Sequence, residues 1–226
     1  MSIDFTLPPD VEEIRKRVRA FMDAEVRPAE EKLYANASIP HEPDRGDVVR
    51  MIVELRQKAR EWEVWLPHMP AEWGGLGLSI TAMAFVSAEA ARTRFGPFIL
   101  NAQAPDEGNQ HTLLHHATDA QKEKYLRPLL EGRVRSCFAK TEPEVAGSDP
   151  TGIRTTAVQD GDEWVVNGHK WFISGAKGAT FAILIAKTDP DADPPQASNT
   201  AFLVDLPADG WEIVRDIDTM AGHGNH

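Results

Sequence analysis

The residues best suited to chemistry lie in three polar clusters between Ser136 and Lys187. Thr141-Glu142-Pro143 and Gly147-Ser148-Asp149 form a compact polar turn after a short strand. A hairpin then leads to Asn167-Gly168-His169-Lys170-Trp171-Phe172-Ile173-Ser174-Gly175. Glu142, a carboxylate beside a strand, is tempting as a general base. Thr141-Glu142-Pro143 and Gly147-Ser148-Asp149, each taken alone, are turn signals; their co-occurrence, in this order, with the hairpin and the aromatic segment ending in Ser174-Gly175 is the specific feature. His111, His115 and His116 have helical spacing that suits a metal, but no Cys or carboxylate partner accompanies them. The same holds for His223 and His226. The loop LPHMPAEWGGLGLS is not a nucleotide-binding glycine loop, because no strand precedes it and its glycine spacing is wrong.

Two kinds of element must position these clusters. Residues from about Pro9 to Glu131 read as helical. Val11, Ile14, Val18, Phe21 and Met22 recur at helical spacing, with charges between them. Asp10 is the expected cap of this helix, and Pro28 should kink or end it. A second helix is expected from roughly Val48 to Trp62, with Ile52, Leu55 and Ala59 inward. Ser79 and Asp119 are expected caps of later helices, and Gly132 ends the helical half. From Arg133 the period changes to two. SCFAKTE, TTAVQD, EWVVNG, HKWFIS, TFAILIAKT, TAFLVDL and WEIVRDI all read as strands. Asp160-Gly161 and Asn167-Gly168 are strong hairpin turns. The expected fold class is therefore α+β: an all-helical domain, 1–132, then an antiparallel β-barrel or sandwich domain, 133–226. The last strand has no return strand to pair with, so the sheet is expected to be incomplete and the end at His226 to be a truncation.

Bulk properties narrow the function. The chain has 226 residues, 42% hydrophobic, enough for one or two real cores. A formal charge of −11 argues against nucleic-acid binding, which needs clustered Lys and Arg. The single Cys137 excludes an internal disulfide framework and reads as a small buried hydrophobe. No apolar run approaches the ~18 residues of a membrane span. With no signal-peptide layout at the N-terminus, cytoplasmic is the default compartment.

Taken together, SCFAKTEPEVAGSDPTGI, NGHKWFISGA, NAQAPDEGN (Asn101 to Asn109) and AEWGGLGLS resemble the acyl-CoA dehydrogenase family. Trp73 stands where that family's loop usually has Tyr. The resemblance is to the branch of bacterial and kinase-fused eukaryotic enzymes, and it covers the N-terminal and middle domains. The family's C-terminal helical bundle is expected to be absent.

The resemblance implies FAD as cofactor and α,β-dehydrogenation of an acyl-CoA thioester. It implies roles in fatty-acid β-oxidation and lipid metabolism, an electron-transfer flavoprotein as partner, and a homo-oligomer, dimer or tetramer. Phe138, Lys140 and Thr141 would run along the flavin ring. Gly147 and Ser148 would lie near its pyrophosphate, with Ser148 also near the CoA arm of the substrate. Phe172 would pack on the ring, and Ser174 would reach the flavin nitrogen N5. Phe172 departs from the family's frequent Trp, and Lys140 from its frequent apolar residue. The family's catalytic base comes from the C-terminal domain, so no catalytic residue is assigned here. Glu142 is then a structural acceptor in the turn, and the 226-residue polypeptide alone is expected to be inactive. Two alternatives share these features: an acyl-CoA oxidase or flavin monooxygenase on the same fold, or a non-catalytic binding or assembly subunit.

Overall fold

The computed structural model describes residues 6–37 and 43–219. His223 and His226 lie outside them. The chain divides into two compact units, Met1–Gln103 and Ala104–His226.

The first unit is helical: α1 (Pro9–Phe21), α2 (Arg27–Ala35), α3 (Arg45–Glu61), α4 (Ile80–Ala90) and the short α5 (Gly96–Ile99). The helical spacing of α1 places Ile14, Val18 and Phe21 in the core, followed by Met22, while Val11 is half-buried. In α3, Leu55 and Ala59 point inward with Met51 and Arg56, and Ile52 is only half-buried. Burying Arg56 is tolerable because its guanidinium donates to the Phe98 carbonyl at 3.1 Å and lies 4.6 Å from the Phe98 ring centroid. Asp44 caps α3, accepting from the Gly46 and Asp47 amides at 2.7 and 3.2 Å. Ser79 caps α4. Asp10 is not the cap of α1. Pro9 takes the first helical position, where its missing N–H costs nothing, and Asp10 falls in the first turn.

Pro28 neither ends nor breaks its helix. A π-wound turn, Met22–Val26, precedes it, and the Arg27 amide reaches back five residues to the Met22 carbonyl. Proline lacks an N–H and crowds the carbonyl four residues back; the wider turn relieves both problems. The second unit repeats the device at Lys122–Leu126, ahead of Pro128.

That second unit opens with α6 (Asp106–His116), α7 (Asp119–Gln121) and α8 (Arg127–Leu130). Thr118, not Asp119, caps α7: its hydroxyl accepts from the Gln121 amide and the Gln121 side chain accepts from the Thr118 amide. Gly132 ends α8 with φ 70°, a left-handed conformation that disfavours a side chain.

Among the described residues five strands follow: β1 (Ser136–Ala139), β2 (Thr156–Asp160), β3 (Glu163–Asn167), β4 (Phe181–Lys187) and β5 (Asn199–Asp205). The path runs β1-β4-β2-β3, with β5 also paired to β4. The sheet is mixed, where the sequence suggested a wholly antiparallel one. β2–β3 and β4–β5 are antiparallel, while β1–β4 and the short β2–β4 contact are parallel. Asp160-Gly161 makes the expected hairpin, with Gly161 at φ 63°. Asn167-Gly168 does not. Gly168 keeps an ordinary φ and is instead packed so tightly that a Cβ would lie 2.2 Å from Thr155 Oγ1.

HKWFIS and WEIVRDI form no strands. Phe172 has φ 51°, which interrupts any ladder. Residues 211–218 are held by side chains instead: Trp211 packs against the core of the sheet, and Lys177 pairs with Asp216 at 2.6 Å. One face of the sheet carries Cys137, Ala139, Ala157, Ile173, Ala182, Leu184 and Ala186. On the other face Phe181 meets Tyr125, ring centroids 5.0 Å apart.

Candidate cofactor site along the first strand

β1 lies at one end of the pairing path, so only one of its edges is taken by a neighbouring strand. Residues 171–175 pass along it. The Trp171 amide donates to the Thr141 carbonyl at 3.1 Å, and Gly175 comes so close to the Ser136 carbonyl that a Cβ would lie 3.2 Å away. These two contacts set an antiparallel course, which explains the parallel β1–β4 pairing: the chain has already reversed once before β4 begins. Phe172 and Ser174 lie between these two contacts, in the stretch that passes β1.

The site residues predicted from the sequence therefore gather around one strand. Phe138 and Phe172 are 37% and 44% exposed, unusual for phenylalanines next to a packed core. Trp171 meets Phe172 edge-on, centroids 5.0 Å apart. Lys140, Thr141 and Ser174 are half-buried. Gly147 faces Thr141: a Cβ on it would lie 3.1 Å from the Thr141 methyl. Ser148 comes next, exposed, at the mouth of the turn. Asp149 fixes the residues after it, accepting from the Thr151 amide at 2.9 Å and hydroxyl at 2.6 Å. Exposed aromatic rings beside a polar strand end suit a planar heteroaromatic group with a polar rim.

Glu142 sits beneath this surface, 1% exposed. Its Oε1 accepts from the Thr155 amide at 2.9 Å, the Thr155 hydroxyl at 2.5 Å and Lys170 Nζ at 2.8 Å; its Oε2 accepts from the Arg154 amide at 2.7 Å. Burial pushes its carboxyl upward, but the hydrogen bonds from Lys170, Thr155 and Arg154 outweigh that and hold it down at about 2. A carboxylate so committed is a poor base. It is the turn's structural acceptor.

Two features of the site lie within quoted motifs, but their roles were not read from the sequence. Lys170 Nζ donates to Glu142 and to the carbonyls of Lys140 and Ile185, at 2.8, 3.0 and 2.8 Å. Three acceptors require the protonated ammonium, although burial, partly offset by Glu142, lowers its pKa. A lysine directly before the apolar triplet Trp171-Phe172-Ile173 was the one available signal. The second is Asp106, which accepts from the Ser136 amide at 2.9 Å and hydroxyl at 2.7 Å and pairs with Arg135. Asn109 Nδ2 donates to the Ser136 hydroxyl at 2.9 Å. Together they fasten the start of β1 to α6. Cys137 is buried in the sheet core, and burial raises its thiol to about 12, so it is inert. Among the described residues no group of three or more His, Cys, Asp or Glu is arranged to hold a metal. None of their helices is long and apolar enough to cross a membrane.

The chain is also similar to known proteins. Residues 8–133 match the family model of the acyl-CoA dehydrogenase N-terminal domain, and residues 137–226 that of the middle domain. Acyl-CoA dehydrogenase family member 10 of Mus musculus is 32% identical, over 96% of this chain and 21% of its own length. A structure from Mycobacterium abscessus, solved as an acyl-CoA dehydrogenase, superposes with a TM-score of 0.85 at 34% identity, covering 97% of this chain and 57% of that one. A glutaryl-CoA dehydrogenase of Mycobacterium smegmatis, solved with FADH2, gives 0.68 at 25% identity, covering 96% and 52%. The chain thus spans about half, or less, of the length of the proteins it matches.

Proposed function

The chain belongs to the acyl-CoA dehydrogenase family, and from that premise we propose that the protein binds FAD along β1 and takes part in α,β-dehydrogenation of an acyl-CoA thioester. The observation that carries this reading is the assembly of Phe138, Lys140, Thr141, Gly147, Phe172 and Ser174 around one strand, with Ser148 at its mouth. The M. smegmatis neighbour, solved with FADH2, supports the choice of cofactor.

When bound, the flavin supplies a two-electron oxidant for the acyl chain's α,β bond. The residues of this chain bind and orient it. Thr141 offers a hydroxyl and rigid strand-end backbone to the polar rim of the ring. Phe138 and Phe172 give an apolar surface that excludes water. Gly147 would let the backbone come close, and the exposed Ser148 hydroxyl would be available to phosphates of the cofactor and of CoA. Glu142 is not assigned as the base that removes the α-proton, because both of its oxygens are committed. An electron-transfer flavoprotein as acceptor, assembly as a homo-oligomer, and a division into an N-terminal domain, 1–132, and a middle domain, 133–226, belong to the same proposal.

The test is direct. The intact protein is purified and its visible spectrum recorded, then a panel of acyl-CoA thioesters is added with an artificial electron acceptor. Stoichiometric bound flavin that loses its colour with an acyl-CoA is the expected result. A colourless protein that takes up no added FAD would overturn the reading.

A further inference from the structure

Lys170 and Glu142 are oppositely charged, adjacent and almost fully enclosed, with side chains 11% and 1% exposed. Their hydrogen bonds reach well beyond one another. Lys170 holds the carbonyl of Lys140 and the carbonyl of Ile185 in β4. Glu142 holds the amides of Arg154 and Thr155, which lead into β2. The pair therefore fixes the backbone at Lys140 and Glu142, on either side of Thr141. It also fixes Lys170, one residue before Trp171, whose amide takes the Thr141 carbonyl. Thr141 is thus held between two anchored neighbours, and Phe172 follows Trp171, whose amide is bonded to the Thr141 carbonyl, with a left-handed φ of 51°.

We propose that Lys170 and Glu142 are positioning residues for the cofactor: without touching it, they set Thr141 and Phe172 at the spacing that its ring requires. This rests on the FAD reading above. A buried ion pair is weak evidence for stability as such, since its desolvation offsets much of its attraction. It does impose a unique geometry when every donor and acceptor is satisfied, as here. A site whose contacting groups sit on a strand end and an irregular segment needs such a support, because neither is held by a continuous ladder.

The experiment compares FAD binding by the intact protein with that of Lys170→Met, Glu142→Gln and Lys177→Met. Lys177 pairs with Asp216 at the surface and serves as a control for loss of a lysine charge. Dissociation constants and the visible spectrum of bound flavin are recorded at a temperature where circular dichroism reports each variant folded. Lys170→Met is expected to weaken binding at least about tenfold, the size of one well-aligned hydrogen bond, and to shift the flavin bands. Glu142→Gln keeps one acceptor oxygen and should shift them less; Lys177→Met should change neither. A merely structural pair would alter the unfolding midpoint and leave the spectrum of the folded protein unmoved. Unchanged affinity and bands in Lys170→Met would overturn the proposal while sparing the FAD reading. If Lys170→Met does not fold, Glu142→Gln is judged by the same two readouts. A wild-type protein that binds no FAD would overturn both.

Discussion

Arg19 grips Glu89 with both arms of its guanidinium: Nε meets Oε2 at 2.8 Å and Nη2 meets Oε1 at 2.6 Å. Arg15 adds a third contact at 2.6 Å, so one buried carboxylate in α4 ties down two turns of α1. Removing one partner of a buried pair costs about 3–5 kcal/mol; both arginines are partly exposed here, so the smaller figure of about 2 kcal/mol is expected for Glu89→Gln. Urea unfolding of the variant beside the wild type measures it. A loss below about 0.5 kcal/mol would mean that the helices pack without the pair.

Acid should weaken the fold in a defined window. Hydrogen bonds from Arg19, then Arg15 and Arg92, hold Glu89 at about 2 against burial, and Glu142 is held at about 2 by its own donors. Both folded-state values are depressed, so the unfolded chain binds these protons first. The stabilisation is complete above an ordinary carboxyl value of 4.5 and is lost as the pH falls from there toward 2. Stability against urea, measured at several pH values, should decline over that range. The slope should be shallower in Glu89→Gln and shallower still in the double variant with Glu142→Gln.

Thr118→Ala removes half of a reciprocal cap and should cost about 1 kcal/mol. Asp119→Ala should cost less, since Asp119 lies inside the first turn rather than at its head. Thermal or urea unfolding ranks the two. The opposite order would restore Asp119 as the cap.

Gly75→Ala tests why the loop before α4 is rich in glycine. A Cβ at Gly75 would lie 2.0 Å from the Met69 carbonyl oxygen and 2.6 Å from that of Leu66, both backbone atoms that cannot swing aside. The expected cost is about 3 kcal/mol or more, at the upper end for overpacking. Gly74→Ala meets nothing nearby; its φ of 81° alone opposes it, so its cost should be smaller. Urea unfolding of the two variants compares them.

Thr141→Val keeps the shape of the side chain and removes the hydroxyl. If Thr141 contacts FAD, affinity should fall about fivefold with little change in the unfolding midpoint. Titration monitored by flavin fluorescence reports it.

Much of the fold was legible because the sequence states it locally. The apolar spacing of α1 and the cap at Ser79 each depend on residues within a few positions of one another. The illegible parts depend on partners far away. HKWFIS alternates like a strand, yet Phe172 turns left-handed where the segment passes β1. Asn167-Gly168 has a hairpin's composition, yet Gly168 is glycine because Thr155 presses on it. The site clusters could be read by their order, but Lys170 gains its role only from the carbonyls of Lys140 and Ile185, 30 and 15 residues away. No local pattern encodes such a meeting.

The π-wound turns ahead of Pro28 and Pro128 have a consequence for how this chain can change in length. A π turn holds one residue more than the α-helical turn it replaces, while the helix beyond keeps its facing. Each is therefore a place where a single residue can be deleted without rotating the rest of the helix, provided the proline goes too. Everywhere else in α1 to α3 a deletion would swing the buried stripe toward water by about 100°. Related chains that are shorter or longer by one residue within these helices should carry the difference there, paired with the loss or gain of the proline.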